Sequence, residues 1–169
     1  RERFATVVRM PLDSPEARCS VEAQLGVLCS HARPLHLFLD RVHRIAIEGG
    51  DGRSLELLRR IESRWDLPCG TRVERVRVGD EIYCIGTQAV PEGAFLVELE
   101  KSLALKQVPE SWRKWRGAAR VSVAVRIGAR VEKGLLYCFL PLGDEGRAPF
   151  AGFVNANFYT KMDRSRVSD

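Results

Sequence analysis

The stretch Arg72–Thr87, RVERVRVGDEIYCIGT, decides the fold class of this 169-residue chain. Val73, Val76 and Val78 alternate with charged residues apart from one slip, and this is the period of a half-buried strand. Gly79-Asp80 supplies a turn, and Glu81–Thr87 returns the chain. The stretch therefore predicts an antiparallel hairpin.

A second hairpin is predicted before this stretch. Arg44–Glu48 has the pattern of a strand, Gly49–Gly52 forms a turn, and Leu55–Trp65 is the extended partner that such a strand needs. The GDG at Gly50–Gly52 superficially resembles a phosphate-cradling turn. Since no Walker lysine follows it and no helix opens there, we interpret it as hairpin chemistry.

Strands also dominate the second half of the chain. Arg120–Arg130 alternates strongly, with Val121, Val123, Val125 and Ile127 on one face and mostly basic residues on the other. Glu132–Gly134 then turns the chain into a strand predicted at Leu135–Leu140. A polar loop separates this strand from an extended segment at Phe150–Phe158.

Helices are fewer. Ser14 is a candidate N-cap and Pro15 suits a first helical position. Apolar residues then recur at spacings of three and four, which predicts an amphipathic helix facing a core; they are Ala17, Val21, Leu25, Leu28 and Ala32. A short helix is predicted at Glu110–Trp115 and a strand at Phe4–Met10, whereas Leu35–Val42 fits a helix or a strand and Phe95–Leu105 is mixed. The predicted fold class is α+β, a mostly antiparallel β-sheet with flanking helices.

Composition limits the class of protein. Hydrophobic residues make up 45% of the chain, which is enough for a domain core, and no apolar run is long enough to span a bilayer. Five scattered cysteines without CxxC spacing favour reduced thiols and a cytoplasmic location. The net charge of +5 permits contact with phosphate or nucleic acid. Because the chain begins at Arg1, we expect it to be a piece of a larger protein.

No complete active site is visible among the motifs. His31, His36 and His43 match no strong metal-ligand spacing, so we predict surface positions or core packing for them and no metal site. Trp112–Arg116 interleaves aromatic and basic residues, as some nucleic-acid sites do, but two indoles packed on a partner surface explain the pattern as well. A nucleophile elbow and a metalloprotease motif are both missing from the sequence.

Motifs near the C-terminus resemble those of a known superfamily. Gly134–Pro141, GLLYCFLP, is followed by Pro149-Phe150, by Asn155–Phe158 and by Asp163-Arg164. In this order the motifs resemble sacsin-type repeats of the GHKL ATPases, the superfamily of the ninety-kilodalton heat-shock chaperones, type II topoisomerases and mismatch-repair ATPases. Near the N-terminus, Ala5–Leu12 resembles the last strand of the nucleotide-binding domain of this superfamily, although Ala5 replaces the usual glycine. Leu35–Leu39 with Arg44–Ile47 resembles the segment that follows that strand.

This resemblance implies a domain organisation and a role. Residues 1–12 would be the last strand of a preceding nucleotide-binding domain, and residues 13–169 would be a single α/β middle-type domain. ATP and Mg²⁺ would be bound by the preceding domain of the parent protein, with no cofactor site in this piece. Arg164 matches the arginine of the closing motif and is the first candidate for a γ-phosphate contact, with Lys161 and Arg166 as weaker alternatives. Client proteins would be further partners.

A second hypothesis assigns no catalysis to this chain. It would be an interaction module whose basic strand faces meet an acidic protein or a nucleic acid. No contact with a membrane is predicted. The arginines of these faces are Arg72, Arg75 and Arg77 on the earlier strand and Arg120, Arg126 and Arg130 on the later one.

Overall fold

A computed structural model describes residues 11, 13–28, 34–48, 54–115, 117–143, 145–160 and 167, with the side chains of residues 25–28 left out. The fold is α+β, as predicted. Within the described ranges it has helices α1 (Pro15–Leu28) and α2 (Glu92–Ala104) and a 3₁₀ helix (Glu110–Lys114). The strands are β1 (Arg44–Glu48), β2 (Ser54–Asp66), β3 (Arg72–Val78), β4 (Glu81–Ala89), β5 (Arg120–Arg126), β6 (Leu135–Cys138), β7 (Leu140–Pro141) and β8 (Phe153–Asn155).

The strands are arranged in the order β1-β2-β3-β4-β5-β8-β6-β7. Every pairing is antiparallel except that of β6 with β8, so the predicted mostly antiparallel sheet is confirmed. The long strand β2 joins two ladders, because its first residues pair with β1 and its later residues pair with β3. An irregularity between Ile61 and Ser63 lets the β2–β3 ladder continue past Glu62.

The hairpin predicted at Arg72–Thr87 is present. Val78 pairs with Glu81 across the two-residue loop, and Gly79 has a φ of +57°. A left-handed conformation costs glycine little, and this is why the Gly-Asp pair marks the turn.

The hydrophobic core lies on one face of the sheet, called here the inner face. Val76 of β3, Tyr83 of β4 and Ala124 of β5 point into it. The hydrogen-bonded turns of residues 34–42, where the sequence fitted a helix or a strand, cover this face with Leu37 and Phe38. The rings of Phe38 and Tyr137 meet edge to face, with centroids 5.0 Å apart. The Tyr137 hydroxyl donates to the Pro34 carbonyl at 3.3 Å and so ties the turns to β6.

Strand β5 shows the predicted alternation, but its valines lie on the outer face. Val121, Val123 and Val125 are each more than a third exposed, whereas Ser122 and Ala124 are buried. In the ladder Ala124 lies between Ile85 of β4 and Phe153 of β8, next to large side chains that fill the inner face. The strand ends at Arg126, so its predicted extension to Arg130 was wrong.

The helices agree with the sequence in part. The hydroxyl of Ser14 accepts a hydrogen bond from the Ala17 amide at 3.1 Å, which confirms the predicted N-cap of α1. Helix α2 forms where the pattern was mixed, and it buries Leu99 and Leu103, which lie one turn apart. The 3₁₀ helix lies at the predicted short helix, and the stacked rings of Trp112 and Trp115, 5.5 Å apart, support the packing interpretation.

The predicted strand Leu135–Leu140 is divided at Phe139, whose φ is +66°. The segment predicted as extended at Phe150–Phe158 contains the short strand β8, which lies between β5 and β6. A Cβ at Gly134 would overlap the carbonyl oxygen of Phe150, so the turn before β6 requires glycine.

The strand predicted at Phe4–Met10 lies outside the described residues. No helix in the described part of the chain is both long and apolar enough to cross a membrane.

Candidate functional site

A cavity of about 390 Å³ opens on the inner face, beyond the aromatic part of the core. Its polar lining has four arginines, two carboxylates, two hydroxyls and two amides: Arg59, Arg64, Arg72, Arg120, Asp40, Glu74, Thr87, Ser122, Asn155 and Asn157. Its apolar lining is Leu37, Phe38, Ile61, Ile85, Ala118, Phe139 and Ala156. The cavity is therefore lined by both cationic and apolar side chains.

Strand register explains why these polar side chains meet. Arg72 of β3 lies opposite Thr87 of β4, Thr87 lies opposite Ser122 of β5, and Ser122 lies opposite Asn155 of β8. Directly opposed residues share a face of a sheet, so these four form one polar row across four strands. The neighbouring row contains Glu74, Ile85, Ala124 and Phe153 and leads into the core.

Arg59 is the most deeply buried charge of the cavity. Its side chain is 1% exposed. Nε donates to the carbonyl oxygen of Leu37 at 3.1 Å, and Nη2 lies 3.3 Å from a carboxylate oxygen of Asp40 and 3.8 Å from one of Glu74. Nη1 is buried and has no hydrogen-bond partner among the residues that the structure describes. One nitrogen of a buried guanidinium is thus left without an acceptor.

Glu74 connects the buried arginine to the rim of the cavity. Its Oε1 accepts a hydrogen bond from Nε of Arg64 at 2.7 Å and lies 2.6 Å from Nη2 of the same arginine, and its Oε2 faces Arg59. The Glu74 side chain is 11% exposed, whereas that of Arg64 is half exposed. The carboxylate therefore holds two of the four arginines in place and partly neutralises them.

The other two arginines are less constrained. Nε of Arg72 lies 3.4 Å from Asp66, an exposed carboxylate outside the cavity lining. The Arg120 side chain has no ion pair or hydrogen bond to any other residue in the described ranges. Because an exposed ion pair contributes little, both guanidinium groups can turn toward a ligand.

Neutral donors complete the cavity. The hydroxyls of Thr87 and Ser122 are 2.8 Å apart, so one proton holds the pair together and the other remains for a further acceptor. Oδ1 of Asn155 accepts a hydrogen bond from the Phe139 amide at 2.7 Å, which leaves the Asn155 amide nitrogen as a donor. Phe139, the residue with positive φ, also lines the cavity. A strained backbone at a cavity wall is typical of functional sites.

This arrangement suits binding. Arginine, amide and hydroxyl groups supply positive charge and hydrogen-bond donors, and they match the acceptor oxygens of a carboxylate or phosphate. Among the described residues, the lining contains no histidine, cysteine or lysine that could act as a nucleophile or a general base with a pKa near neutrality.

His36 lies close to the cavity but is not part of its lining. It is fully buried in the turns of residues 34–42, and neither ring nitrogen has a hydrogen-bond partner in the part of the chain that is described. Burial, and to a smaller extent the charge of Arg59, lowers the pKa of His36 below its ordinary value of 6.5. The predicted packing role therefore fits His36. His43 is exposed, and His31 lies outside the described residues.

The candidates taken from the resemblance cannot be placed in this cavity. Lys161, Arg164 and Arg166 all lie outside the described residues. The resembling motifs contribute six residues to the cavity lining: Leu37, Phe38, Phe139, Asn155, Ala156 and Asn157. The described residues contain no group of three or more histidine, cysteine or acidic side chains arranged to hold a metal ion.

The two basic strand faces are divided by the fold. Arg75 and Arg77 lie on the outer face, where both bond Glu62. Arg126 forms a two-point ion pair with Glu81. Arg72 and Arg120 line the cavity, and Arg130 lies beyond the end of β5. Cross-strand carboxylates therefore pair with three of the six arginines of this hypothesis, and two of the others line the cavity.

Two central residues of the cavity, Arg59 and Glu74, were missed in the sequence. A signal for Arg59 was present, since it lies in the alternating row Leu55, Leu57, Arg59 and Ile61. A charge in such a row points to the same face as its apolar neighbours. For Glu74 the slip in the pattern of β3 concealed which face it occupies.

Comparisons with protein-family models, with curated proteins and with solved structures found no match to this chain.

Proposed function

We propose that this chain is a non-catalytic recognition module that binds an oxyanionic group in the cavity. The observation that carries the proposal is Arg59, a cation with a 1% exposed side chain and a buried nitrogen that has no acceptor among the described residues. A buried polar group without a partner costs about 1–3 kcal/mol, and more when it is charged. An acceptor supplied by a ligand would remove this cost.

The other cavity residues support the same conclusion. Arg120 and the Asn155 amide nitrogen provide donors that have no other described role, and Arg64 and Glu74 hold Arg59 in position. Groups held in place before binding lose little conformational entropy when the ligand arrives. The arrangement favours recognition of an acidic ligand. This agrees with the interaction-module hypothesis, except that the basic residues line one cavity and not a strand face.

Replacing Arg120 with glutamine tests this function. We expect the affinity for inorganic phosphate to fall about tenfold, because a hydrogen bond to a charged group contributes about 1.5–3 kcal/mol. Chemical-shift titration of backbone amides in the whole chain measures the affinity and shows which residues respond. Since Arg120 has no described partner, the substitution should leave the fold intact.

Arg60→Gln is the matched control. Arg60 follows Arg59 on β2 and points to the outer face, where it lies opposite Arg77. The same loss of one positive charge there should leave the phosphate affinity within about twofold of the unsubstituted chain. Equal weakening by both substitutions would show that phosphate responds to net charge alone, and the cavity would then have no specific role.

As the alternative, we propose that the chain is the middle-type domain of a larger GHKL ATPase with a chaperone-like role. The resemblance of Gly134–Pro141 and Asn155–Phe158 supports this alternative. In such a parent protein the preceding domain would hold ATP and Mg²⁺. Arg164 would then contact the γ-phosphate, where a cation stabilises the charge of phosphoryl transfer.

Measuring ATP hydrolysis by the full-length protein with Arg164→Ala tests this second proposal. Loss of an arginine that stabilises the transferred phosphoryl group should slow turnover by about 10³-fold or more. Nucleotide binding, followed separately, should be far less affected. Unchanged turnover in a folded variant that binds nucleotide would refute the role of Arg164 and leave the cavity proposal untouched.

A further inference from the structure

The geometry of the cavity points to a narrower class of ligand, and we propose that it binds a small organic phosphate monoester, with the phosphoryl group among the arginines and an apolar body against Leu37, Phe38 and Phe139. This inference rests on the proposed function, since it specifies which oxyanion the cavity takes. Three features carry it: the spread of the donors over several strands, the balance of charge, and the size of the apolar wall.

The free donors come from several strands along the inner face of the sheet. Arg59 belongs to β2, Arg120 to the start of β5 and Asn155 to β8, while the Thr87–Ser122 hydroxyl pair lies between them in the polar row. A carboxylate has two oxygens that accept hydrogen bonds close to one plane. A phosphoryl group has three terminal oxygens pointing away from one another, and it can accept from donors on several strands at once. The spread of donors therefore favours a tetrahedral anion.

The charge of the lining favours a dianion. Four arginines face two carboxylates, Asp40 and Glu74, within the lining. The third carboxylate, Asp66, pairs with Arg72 from an exposed position outside the cavity. Arg120 has no described ion pair. The lining residues by themselves carry a charge of +2, four arginines against two carboxylates. A phosphate monoester, with a charge of about −1.5 to −2 at neutral pH, neutralises this charge more completely than a monoanionic carboxylate does.

The volume and the apolar wall indicate the rest of the ligand. One water takes about 30 Å³ of liquid, so a cavity of about 390 Å³ is several times larger than a bare inorganic ion requires. It lies near the lower end of the range for small-molecule pockets, about 300–1,000 Å³. Leu37 and Phe38 are buried, and Phe139 is half exposed, so an apolar body placed here would cover the Phe139 ring.

Four small ligands separate these features: phenyl phosphate, phenyl sulfate, benzoate and inorganic phosphate. Phenyl sulfate keeps the tetrahedral shape with one negative charge, benzoate keeps the ring with a planar anion, and inorganic phosphate lacks the ring. Isothermal titration of the whole chain should give the tightest binding for phenyl phosphate, about tenfold tighter than for benzoate or inorganic phosphate, with phenyl sulfate between them. Benzoate binding as tightly as phenyl phosphate would overturn the inference.

The variant Asn155→Asp tests where the phosphoryl group lies. An aspartate keeps the oxygen that accepts from the Phe139 amide, and it replaces the donor nitrogen with a second acceptor carrying negative charge. The affinity for phenyl phosphate should fall at least about tenfold, while the affinity for benzoate should fall less. Equal losses for the two ligands would place the phosphoryl group away from Asn155 and contradict the proposed orientation.

A phosphotyrosine peptide tests whether the ligand is a small phosphate ester or a phosphorylated side chain of a protein. The phosphotyrosine of this peptide is flanked by neutral residues. If the ligand is a small molecule, the peptide should bind no tighter than phenyl phosphate. Markedly tighter binding of the peptide would overturn that part of the inference. The proposed function fails in a different way from this inference. It fails if none of the four small anions binds, or if Arg120→Gln binds all of them as well as the unsubstituted chain.

Discussion

Substitution of Arg59 by alanine should lower the free energy of unfolding by about 3–5 kcal/mol, the range seen when one partner of a buried ion pair is removed. The Leu37 carbonyl would lose its donor, and Glu74 would keep only the half-exposed Arg64. The aliphatic part of the arginine also packs in the interior, and its loss adds a cavity. Urea denaturation followed by tryptophan fluorescence gives the measurement.

The control is Arg60→Ala, one residue further along the same strand. Arg60 is exposed and lies on the outer face, so its loss should change stability by less than about 0.5 kcal/mol. Arg59→Lys keeps the charge but not the planar fork, and it should give an intermediate loss because lysine cannot reach Leu37, Asp40 and Glu74 together. If Arg59→Ala is no less stable than Arg60→Ala, Arg59 does not organise the cavity.

Local signals explain which parts of the fold could be predicted. The β3–β4 hairpin was predicted because a Gly-Asp turn separates two runs of strand residues, and both signals lie within sixteen residues. The N-cap at Ser14 and the β1–β2 hairpin likewise depend on short-range chemistry. The break in the predicted strand at Phe139 could not be predicted from such short-range signals. It depends on the Asn155 side chain, sixteen residues away, which accepts a hydrogen bond from the Phe139 amide.

The choice of the buried face also depends on distant residues. In β5 the hydrophobic pattern favours burial of the valines, yet the inner face takes Ser122 and Ala124. Tyr83, Phe153 and Tyr137 already occupy that face, and their rings contact one another at centroid distances of 5.8 and 6.0 Å. Large aromatic side chains from neighbouring strands leave room for small ones on β5, and this is information that no window of the sequence contains.

The cavity, like the choice of the buried face, depends on residues that are distant in the sequence. Its residues come from five strands, from the turns of residues 34–42 and from the segments that join strands, and only the register aligns Arg72, Thr87, Ser122 and Asn155. Sequence reasoning named Arg72 and Arg120 as basic residues of strand faces, but it grouped them with Arg75, Arg77 and Arg126, which pair with carboxylates. The Arg164 prediction rests on a motif, and it stays a prediction.

Stability should fall as the pH is lowered through the range below about 6.5, because of His36. Burial keeps its pKa below the ordinary value in the folded chain, whereas the unfolded chain binds the proton near pH 6.5. The unfolded state therefore holds more protons in this range, and the free energy of unfolding declines by up to about 1.4 kcal/mol per pH unit. The decline ends once the pH falls below the pKa of the folded state.

Two variants separate His36 from the other groups that titrate in this range. His36→Leu removes the proton site and both unpaired nitrogens, so its stability at pH 8 should match or exceed that of the unsubstituted chain, and its slope between pH 6.5 and 5 should be shallower. His43→Gln changes an exposed histidine and should leave the slope unchanged. Urea midpoints at closely spaced pH values give these slopes.

The charge of Arg59 beside His36 links the predicted pH dependence of stability to the cavity. An imidazolium there would lie next to Arg59, and the repulsion between two buried cations would loosen the turns of residues 34–42 from β2, which Arg59 holds through Leu37 and Asp40. Phenyl phosphate gains a proton near pH 6 and then binds less tightly, so its presence should steepen the slope below pH 6.5 in His36→Leu. A bound anion also reduces the repulsion between His36 and Arg59, so the same ligand should steepen the slope less in the unsubstituted chain. A ligand effect of equal size in both chains would show that His36 and the cavity titrate independently.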